Sequence, residues 1–260
     1  RPHYRRLFLK TSTIAGIGLG VYGNSFGFSS DQVINSQGKK VGIIGLDTSH
    51  SIAFTKVLNG HKDEQMYFGY HVVAAYPFGS RDIKSSMDRI PGYTEEIQKM
   101  GVEIVGSIAD MLQKVDVVLL ETNDGKLHLE QAMEVFKAGK RMFIDKPMTA
   151  SLKDAKAIFE ASRQYKIPVF SASSLRYITG IEKIDKSTVI GASTFSPAEL
   201  EPSHPDLFWY GIHGVETLFT VMGTGCESVV RVSTNDTDVV TGIWEDGRVG
   251  TFRGTRTGKH

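Results

Sequence analysis

The sequence has 260 residues, a formal net charge of +1, 40% hydrophobic residues and 23% charged residues. These values are ordinary for a globular protein and argue against a disordered chain or a surface that coats nucleic acid. The single cysteine, Cys226, excludes an intramolecular disulfide and leaves both the cytosol and the periplasm open as compartments.

The N-terminal segment has the features of an export signal. Arg5 and Arg6 precede a short apolar, glycine-spaced stretch over residues 11–22. A twin arginine followed by such a stretch is typical of a Tat signal. The stretch is shorter than the roughly 20 residues that span a bilayer, so stable membrane insertion is not expected. We expect a Tat-like signal and linker over residues 1–38 and a periplasmic protein. If the segment is only a basic arm, we expect a cytoplasmic one.

From residue 39 onward, short apolar runs alternate with helical patterns. The first of them, residues 41–45, is continuous, as in a strand that is buried on both faces. The pattern predicts strands at residues 41–45, 71–76, 102–105, 115–120, 141–145 and 167–171, and helices at 51–58, 94–100, 108–114, 127–138 and 152–165. This alternation implies a mostly parallel, doubly wound sheet with right-handed crossovers. The predicted fold class is α/β, with a Rossmann-type dinucleotide-binding domain over residues 39–175.

Beyond residue 175 the pattern changes. Strands are predicted at residues 188–195, 229–233, 239–244 and 249–253, with one helix at 208–222. The last two strands flank a short polar turn and predict a hairpin. We expect a smaller α+β domain with an antiparallel sheet over residues 176–260, serving substrate binding and oligomerisation. Because few strands follow Val229, we also expect this domain to be an incomplete part of a longer protein.

The turn after the first predicted strand is where a dinucleotide would approach the backbone. Gly42 and Gly45 permit a tight turn and a pyrophosphate at the helix N-terminus, next to Thr48. Asp47 and His50 occupy positions where the dinucleotide fingerprint has small residues. Three interpretations of Asp47 stay open. Its carboxylate opposes the phosphates, or it caps the following helix, or it faces a substrate or metal together with His50.

The end of the second predicted strand bears on the choice between NAD and NADP. An NAD-specific Rossmann site has a carboxylate there for the ribose hydroxyls, whereas residues 76–81 contain none. Ser80 and Arg81 offer a hydroxyl and a positive charge to a 2′-phosphate instead. Arg81 also fits an ordinary solvated loop.

Several short motifs follow in a fixed order. They are Thr122-Asn123, His128, Ala138-Gly139-Lys140, Asp145-Lys146-Pro147, and the segments 173–177 and 211–216. In order and spacing they resemble the motifs of the Gfo/Idh/MocA family, which includes glucose–fructose oxidoreductase and inositol dehydrogenase. The resemblance covers roughly residues 40–222.

This resemblance implies bound NAD or NADP, with Lys146 contacting the nicotinamide ribose and the substrate hydroxyl, and His213 acting as the acid/base. A histidine that titrates near neutrality beside an ammonium group suits proton removal from a carbinol. Trp209 stands where family dehydrogenases often carry an aspartate, and Glu216, one helical turn after His213, is a third catalytic candidate. The predicted cofactor-binding residues are Gly42, Gly45, Asp47, Thr48, Ser80, Arg81, Thr122, Asn123, His128, Asp145, Lys146 and Arg176, and no metal ligand is assigned.

The function expected from these residues is that of an NAD(P)-dependent oxidoreductase acting on a sugar, polyol or derivative. Two alternatives stay open, an NAD-assisted glycosidase or lyase and a non-catalytic carbohydrate-binding descendant with a decayed nucleotide site. Asp47 favours the last of these, whereas Lys146 and His213 favour an enzyme. The expected partners are a small-molecule substrate and, through the second-domain sheet, further copies of the chain. Nucleic acid is not expected at a net charge of +1.

Overall fold

The computed structural model describes residues 39–60 and 67–258. They divide into two compact units, the first ending at Ser171 and the second beginning at Ala172. The predicted Tat signal at Arg5 and Arg6 lies outside the described residues. Within the described ranges, no helix has both the length and the apolar character that crossing a membrane requires.

The first unit is built on a six-stranded sheet whose neighbouring strands are all parallel. The strands are β1 (Lys40–Ile44), β2 (His71–Tyr76), β3 (Glu103–Ile104), β4 (Val117–Leu120), β5 (Arg141–Ile144) and β6 (Val169–Ser171). Their order, β3-β2-β1-β4-β5-β6, is that of Rossmann folds. The strand order reverses between β1 and β4, which makes the carboxyl ends of these strands the expected ligand-binding edge. The predicted α/β fold is confirmed.

Among the described residues, six helices accompany this sheet. They are α1 (Ser49–Asn59), α2 (Lys84–Met87), α3 (Ile90–Lys99), α4 (Ile108–Leu112), α5 (His128–Lys137) and α6 (Leu152–Tyr165). The side-chain oxygens of Thr48, Ser107 and Ser151 accept backbone N–H groups at the starts of α1, α4 and α6. The short helix α2 was not predicted, and α3 begins before the predicted residue 94 because Pro91 is well suited to a first helical turn.

Apolar side chains pack on both faces of the parallel sheet. Ile43 and Ile44 are adjacent on β1, fully buried, and belong to two different hydrophobic clusters, because successive side chains on a strand point to opposite faces. The two-sided burial explains the continuous apolar run of β1 in the sequence. Polar side chains that could bind a ligand are therefore expected at the ends of the strands.

The second unit contains a four-stranded sheet and one longer helix. The elements are β7 (Gly191–Pro197), α7 (Ile212–Met222), β8 (Cys226–Ser233), β9 (Thr237–Trp244) and β10 (Val249–Thr255). The sheet order is β7-β10-β9-β8. β8, β9 and β10 form the predicted antiparallel arrangement, including the hairpin, while β7 pairs with β10 in parallel and makes the sheet mixed.

The two faces of this second sheet differ. On one face, Leu218 and Met222 of α7 pack against Trp244 and Phe252. The other face, here called the outer face, presents exposed apolar side chains from all four strands. Its large apolar members are Phe195, Val230, Val232, Val239, Ile243 and Val249.

Candidate functional site

Polar side chains concentrate at the carboxyl end of the parallel sheet. The segments after β1, β4 and β5 carry four carboxyl side chains, of Asp47, Glu121, Asp124 and Asp145, and none of these residues is more than 2% exposed. A buried charge is costly unless it is paired or hydrogen-bonded. The four carboxyl groups are therefore best distinguished by their partners.

Asp47 connects three loops. Its Oδ2 accepts the backbone N–H of Ser80 at 3.0 Å, and its Oδ1 accepts that of Asn123 at 3.0 Å. Burial raises the pKa of Asp47, and these two hydrogen bonds oppose the rise. Thr48, and not Asp47, caps α1 by accepting the N–H of His50, so the interpretation of Asp47 as the helix cap is wrong. The carboxylate instead holds the loops after β1, β2 and β4 together.

Two glycines make this close packing possible. A Cβ atom added at Gly79 would lie 2.1 Å from Asp47 Oδ2. Gly45 has a φ of +89°, and a Cβ atom there would lie 2.6 Å from the backbone of Thr122. Gly42, also predicted to bind cofactor, lies inside β1 and packs against Met111.

The loop after β2 directs its polar groups inward. The Ser80 hydroxyl donates to Asp124 Oδ2 at 2.8 Å and accepts the N–H of Ile83 at 3.1 Å. Arg81 is exposed to solvent. The Asn123 side chain donates to the hydroxyl of Ser86 at 3.0 Å. A role for Ser80 and Arg81 in binding a 2′-phosphate stays a prediction.

His128 is fully buried at the start of α5. Its Nε2 lies 2.6 Å from the carbonyl oxygen of Thr122, and its Nδ1 lies 2.9 Å from that of Met148. The ring thus connects the segment after β4 with the segment after β5 through the carbonyl oxygens of Thr122 and Met148.

His50, Glu121 and Asp145 form a compact cluster. His50 Nδ1 lies 2.7 Å from Asp145 Oδ2, and one nitrogen or oxygen ligand atom from each of the three residues lies within 4.8 Å of the others. Among the residues that the structure describes, no group hydrogen-bonds to either carboxyl oxygen of Glu121, which is fully buried.

The two carboxyl groups of this cluster titrate in opposite directions. Burial and the negative charge of Asp145 raise the pKa of Glu121 well above its usual range, against an opposing effect of Lys146. Burial also acts to raise the pKa of Asp145, but the positive charges of His50 and Lys146 outweigh it and lower that pKa. Glu121 is therefore the member of the pair that holds a proton more readily.

Lys146 follows this cluster directly. Its side chain is half-buried, and the peptide bond between Lys146 and Pro147 is cis. Its charge acts on the carboxyl groups of both Glu121 and Asp145. A cation at the carboxyl end of β5 is well placed to attract the oxygen of a bound hydroxyl compound.

The predicted residues of the second unit gather around Ser173. The Ser173 hydroxyl lies 2.6 Å from Nδ1 of His213, which is 6% exposed. Glu216 Oε2 accepts the N–H of Ser173 at 2.8 Å, and Oε1 lies 2.6 Å from Nε of Arg176. Glu216 and Arg176 thus form an ion pair, and the predicted cofactor contact of Arg176 stays a prediction.

Glu121 and Asp124 were missed as candidate residues, and His50 was only weighed beside Asp47. A signal for Glu121 was present, since it directly follows an uninterrupted apolar strand. A carboxyl group that is buried there has a perturbed pKa, which makes it a candidate functional residue.

The family is decided by residues 39–173, which match the oxidoreductase family with an NAD-binding Rossmann fold, Gfo/Idh/MocA. This match covers just over half of the 260 residues. The chain belongs to the Gfo/Idh/MocA family. The resemblance inferred from the motifs is thereby confirmed, and the first unit is the family's NAD-binding domain.

Solved structures of similar fold include several dehydrogenases. GenD2 from gentamicin A biosynthesis, solved in complex with NAD, has a TM-score of 0.67 at 14% identity, with 86% of this chain and 68% of that chain covered. The dehydrogenase MviM from Clostridium difficile has a TM-score of 0.64 at 15% identity, with 85% and 71% covered. UDP-N-acetylglucosamine 3-dehydrogenase GnnA from Acidithiobacillus ferrooxidans has a TM-score of 0.63 at 15% identity, with 85% and 68% covered.

The chain spans only part of the length of these solved structures. It spans 61% of the length of a Bordetella bronchiseptica RB50 protein with which it shares 16% identity and a TM-score of 0.64 over 84% of its own residues. No curated protein sequence matches the chain.

The residues at the carboxyl edge fit the dinucleotide of the Gfo/Idh/MocA family. Within the described part of the chain, the buried Thr122 Oγ1 has no hydrogen-bond partner, as a hydroxyl that awaits a polar ligand would. Ser49 is exposed at the start of α1, where backbone N–H groups attract phosphate. The charge of Asp47 is held by two backbone N–H groups, which weakens its repulsion of a phosphate.

Proposed function

We propose that this chain is an NAD(P)-dependent oxidoreductase that transfers a hydride to or from a sugar, a polyol or a derivative. The observation that carries the proposal is the Asp145-Lys146 segment at the carboxyl end of β5, inside the domain that matches the family. Support for the substrate class comes from relatives of similar fold, since GnnA is a UDP-N-acetylglucosamine 3-dehydrogenase and GenD2 acts in gentamicin A biosynthesis.

In the proposed reaction, Lys146 holds the substrate hydroxyl and stabilises the negative charge that develops on its oxygen. A fixed ammonium group acts on such a charge more strongly in a buried site than in water. The half-buried position of Lys146 beside two buried carboxyl groups supports this role. The nicotinamide of the cofactor supplies the hydride acceptor or donor when it is bound.

We propose His213 as the group that exchanges the hydroxyl proton. The Ser173 hydroxyl at 2.6 Å from Nδ1 fixes the orientation of the ring, so Nε2 is the nitrogen assigned to the proton transfer. Glu216 acts on this arrangement indirectly, because it binds the N–H of Ser173 and pairs with Arg176. Glu216 is therefore proposed as a positioning residue.

Titration of the purified, metal-free chain with NAD(H) and NADP(H) in a calorimeter tests the cofactor. A ligand at 100 times its dissociation constant also adds about 2.7 kcal/mol of stability, which a thermal shift detects. Absorbance of the reduced nicotinamide during incubation with a panel of sugars and polyols then tests the reaction. Absence of nucleotide binding would favour the carbohydrate-binding alternative. Binding without net oxidation would favour the glycosidase or lyase.

We further propose that copies of the chain associate through the outer face of the second sheet. Val230 and Val232 on this face are both 67% exposed, and Phe195 is 86% exposed. A contiguous exposed apolar patch marks an interaction surface, and the same patch on a second copy can pair with it around a two-fold axis.

The test uses two neighbouring positions on β8. Val230→Glu places a charge on the outer face, whereas Val229→Glu, at a similarly exposed site on the opposite face, is the matched control. Light scattering after size exclusion is expected to show a dimer or larger assembly for the wild type and the control, and a monomer for Val230→Glu. A monomeric wild type would contradict the proposal.

The periplasmic location and Tat export also remain proposals, supported by Arg5, Arg6 and the apolar stretch after them.

A further inference from the structure

We propose that His50, Glu121 and Asp145 form a binding site for one divalent transition-metal ion of the Zn²⁺ type. The three side chains come from the start of α1 and the ends of β4 and β5, so their backbone positions are set by regular structure. This inference goes beyond the proposed oxidoreductase function and does not rest on it.

The geometry of the three ligand atoms suits an ion. One atom from each residue lies within 4.8 Å of the other two, and His50 Nδ1 and Asp145 Oδ2 are 2.7 Å apart. Zinc–nitrogen and zinc–oxygen bonds of about 2.1 Å at tetrahedral angles place two ligand atoms about 3.4 Å from each other. The separation of 2.7 Å and the upper limit of 4.8 Å differ from this spacing by about 0.7 and about 1.4 Å.

Glu121 is the observation that points to a ligand. Glu121 is 0% exposed, and in the described ranges neither of its carboxyl oxygens has a hydrogen-bond partner. By contrast, the buried carboxyl groups of Asp47 and Asp145 each have a partner at 3.0 Å or less. A buried carboxyl group without a partner is costly, and a cation between Glu121 and Asp145 supplies that partner.

The composition of the site favours a transition metal over Ca²⁺ or Mg²⁺. Imidazole is a preferred ligand of Zn²⁺ and its neighbours in the periodic table, whereas Ca²⁺ takes six to eight oxygen ligands and Mg²⁺ keeps several waters. Lys146 already offsets part of the negative charge. A neutral imidazole, two carboxylates, one ammonium group and a divalent ion sum to a local charge of only +1.

The site is open on one side. The side chain of His50 is 26% exposed, whereas that of Asp145 is 2% exposed, so an ion can enter along the imidazole. Three protein ligands leave at least one coordination position for water or for a hydroxyl oxygen of a small molecule, which is the pattern of catalytic and not of structural zinc sites.

Direct metal titration tests the proposal. The full chain without a polyhistidine tag is treated with EDTA, dialysed, and titrated with Zn²⁺ by calorimetry and with Co²⁺ by visible absorption, without any nucleotide. We expect one ion per wild-type chain, with cobalt absorption bands that change on binding. Glu121→Gln and His50→Ala each remove one ligand and are expected to weaken binding by at least about 100-fold, since even changes outside the ligand sphere cost 10–100-fold.

Two controls separate the site from general acidity and from surface histidines. Asp124→Asn changes another buried carboxylate at the same edge, and His71→Ala removes an exposed imidazole. Both are expected to bind Zn²⁺ like the wild type. Circular dichroism checks folding. Because His50 is partly exposed, His50→Ala retains the test if Glu121→Gln does not fold.

A wild type that binds neither ion would overturn the proposal, as would unchanged affinity in both ligand variants. Nucleotide binding is measured separately on EDTA-treated protein. Binding of NAD(H) without binding of metal would therefore contradict only the proposed metal site. Binding of metal without binding of nucleotide would contradict only the proposed function.

Discussion

Asp47 offers a sharp test of how the carboxyl edge is held together. In Asp47→Ala the N–H groups of Ser80 and Asn123 lose their common acceptor. A buried donor left unsatisfied costs about 1–3 kcal/mol, so the two together cost about 2–6 kcal/mol. Removing the carboxylate also relieves its own burial, which raises the pKa of Asp47. We therefore expect a net loss of about 2–3 kcal/mol, near the lower end of that range.

Thermal unfolding in the absence of nucleotide measures this loss. For a chain of this size, 1 kcal/mol corresponds to about 2–4 °C, so the midpoint is expected to fall by about 4–12 °C. Asp47→Asn keeps one acceptor and is expected to lie between the wild type and Asp47→Ala. The control Asp88→Ala removes an exposed ion pair with Lys84 and should change stability by less than about 0.5 kcal/mol. An Asp47→Ala midpoint equal to that of the control would refute the role of Asp47.

Three further predictions address the reaction, the titration of the site and export. Lys146→Ala and His213→Ala are each expected to lower turnover by about 10²–10⁴-fold, with a much smaller effect on nucleotide affinity. A loss of thermal stability large enough to account for the lost activity would indicate structural roles instead. The pKa of Glu121 is raised on folding, so its contribution to the free energy of unfolding is complete below pH 4.5 and is lost as pH rises through the pKa of the folded state. Urea unfolding at a series of pH values should show a smaller loss of stability for Glu121→Gln than for the wild type. Parallel pH profiles of the two proteins would contradict this prediction. Changing Arg5 and Arg6 together to Lys should abolish accumulation of the protein in the periplasm. Periplasmic accumulation that persists in this variant would exclude Tat export.

The fold was predictable because its strands are buried on both faces. Each residue of such a strand meets an apolar neighbour, so β4 is an unbroken apolar run and β5 contains one over Met142–Ile144. The two-residue edge strand β3 was placed within one residue at each end, although the exposed Glu103 interrupts its apolar residues. The parallel pairing of β7 with β10 was not predicted, because the two strands are far apart in sequence and no local pattern specifies which distant strand β7 pairs with.

The site was predictable only where a motif names it. Lys146 follows from the motif at the end of β5, and Gly45 follows from the turn after β1. The interaction of Asp47 with Ser80 and Asn123 joins residues that are far apart in sequence and are brought together by the strand order. No local pattern specifies which backbone N–H a side chain will reach. Gly79 has no Cβ atom and so leaves room for Asp47. Only the three-dimensional structure shows why a glycine is needed at that position.

The contrast between Asp47 and Glu121 separates structural from functional burial at this edge. Both side chains are fully buried, and burial raises the pKa of both. Asp47 is compensated by two backbone N–H groups, so its burial stabilises the loops. Glu121 has no such compensation among the described residues, so its burial costs stability in the unliganded chain. The loss of stability caused by Glu121 lies next to Asp145 and Lys146, where a bound ligand can relieve it. Substitution of Glu121 is therefore the most direct way to distinguish a binding site from a purely structural arrangement.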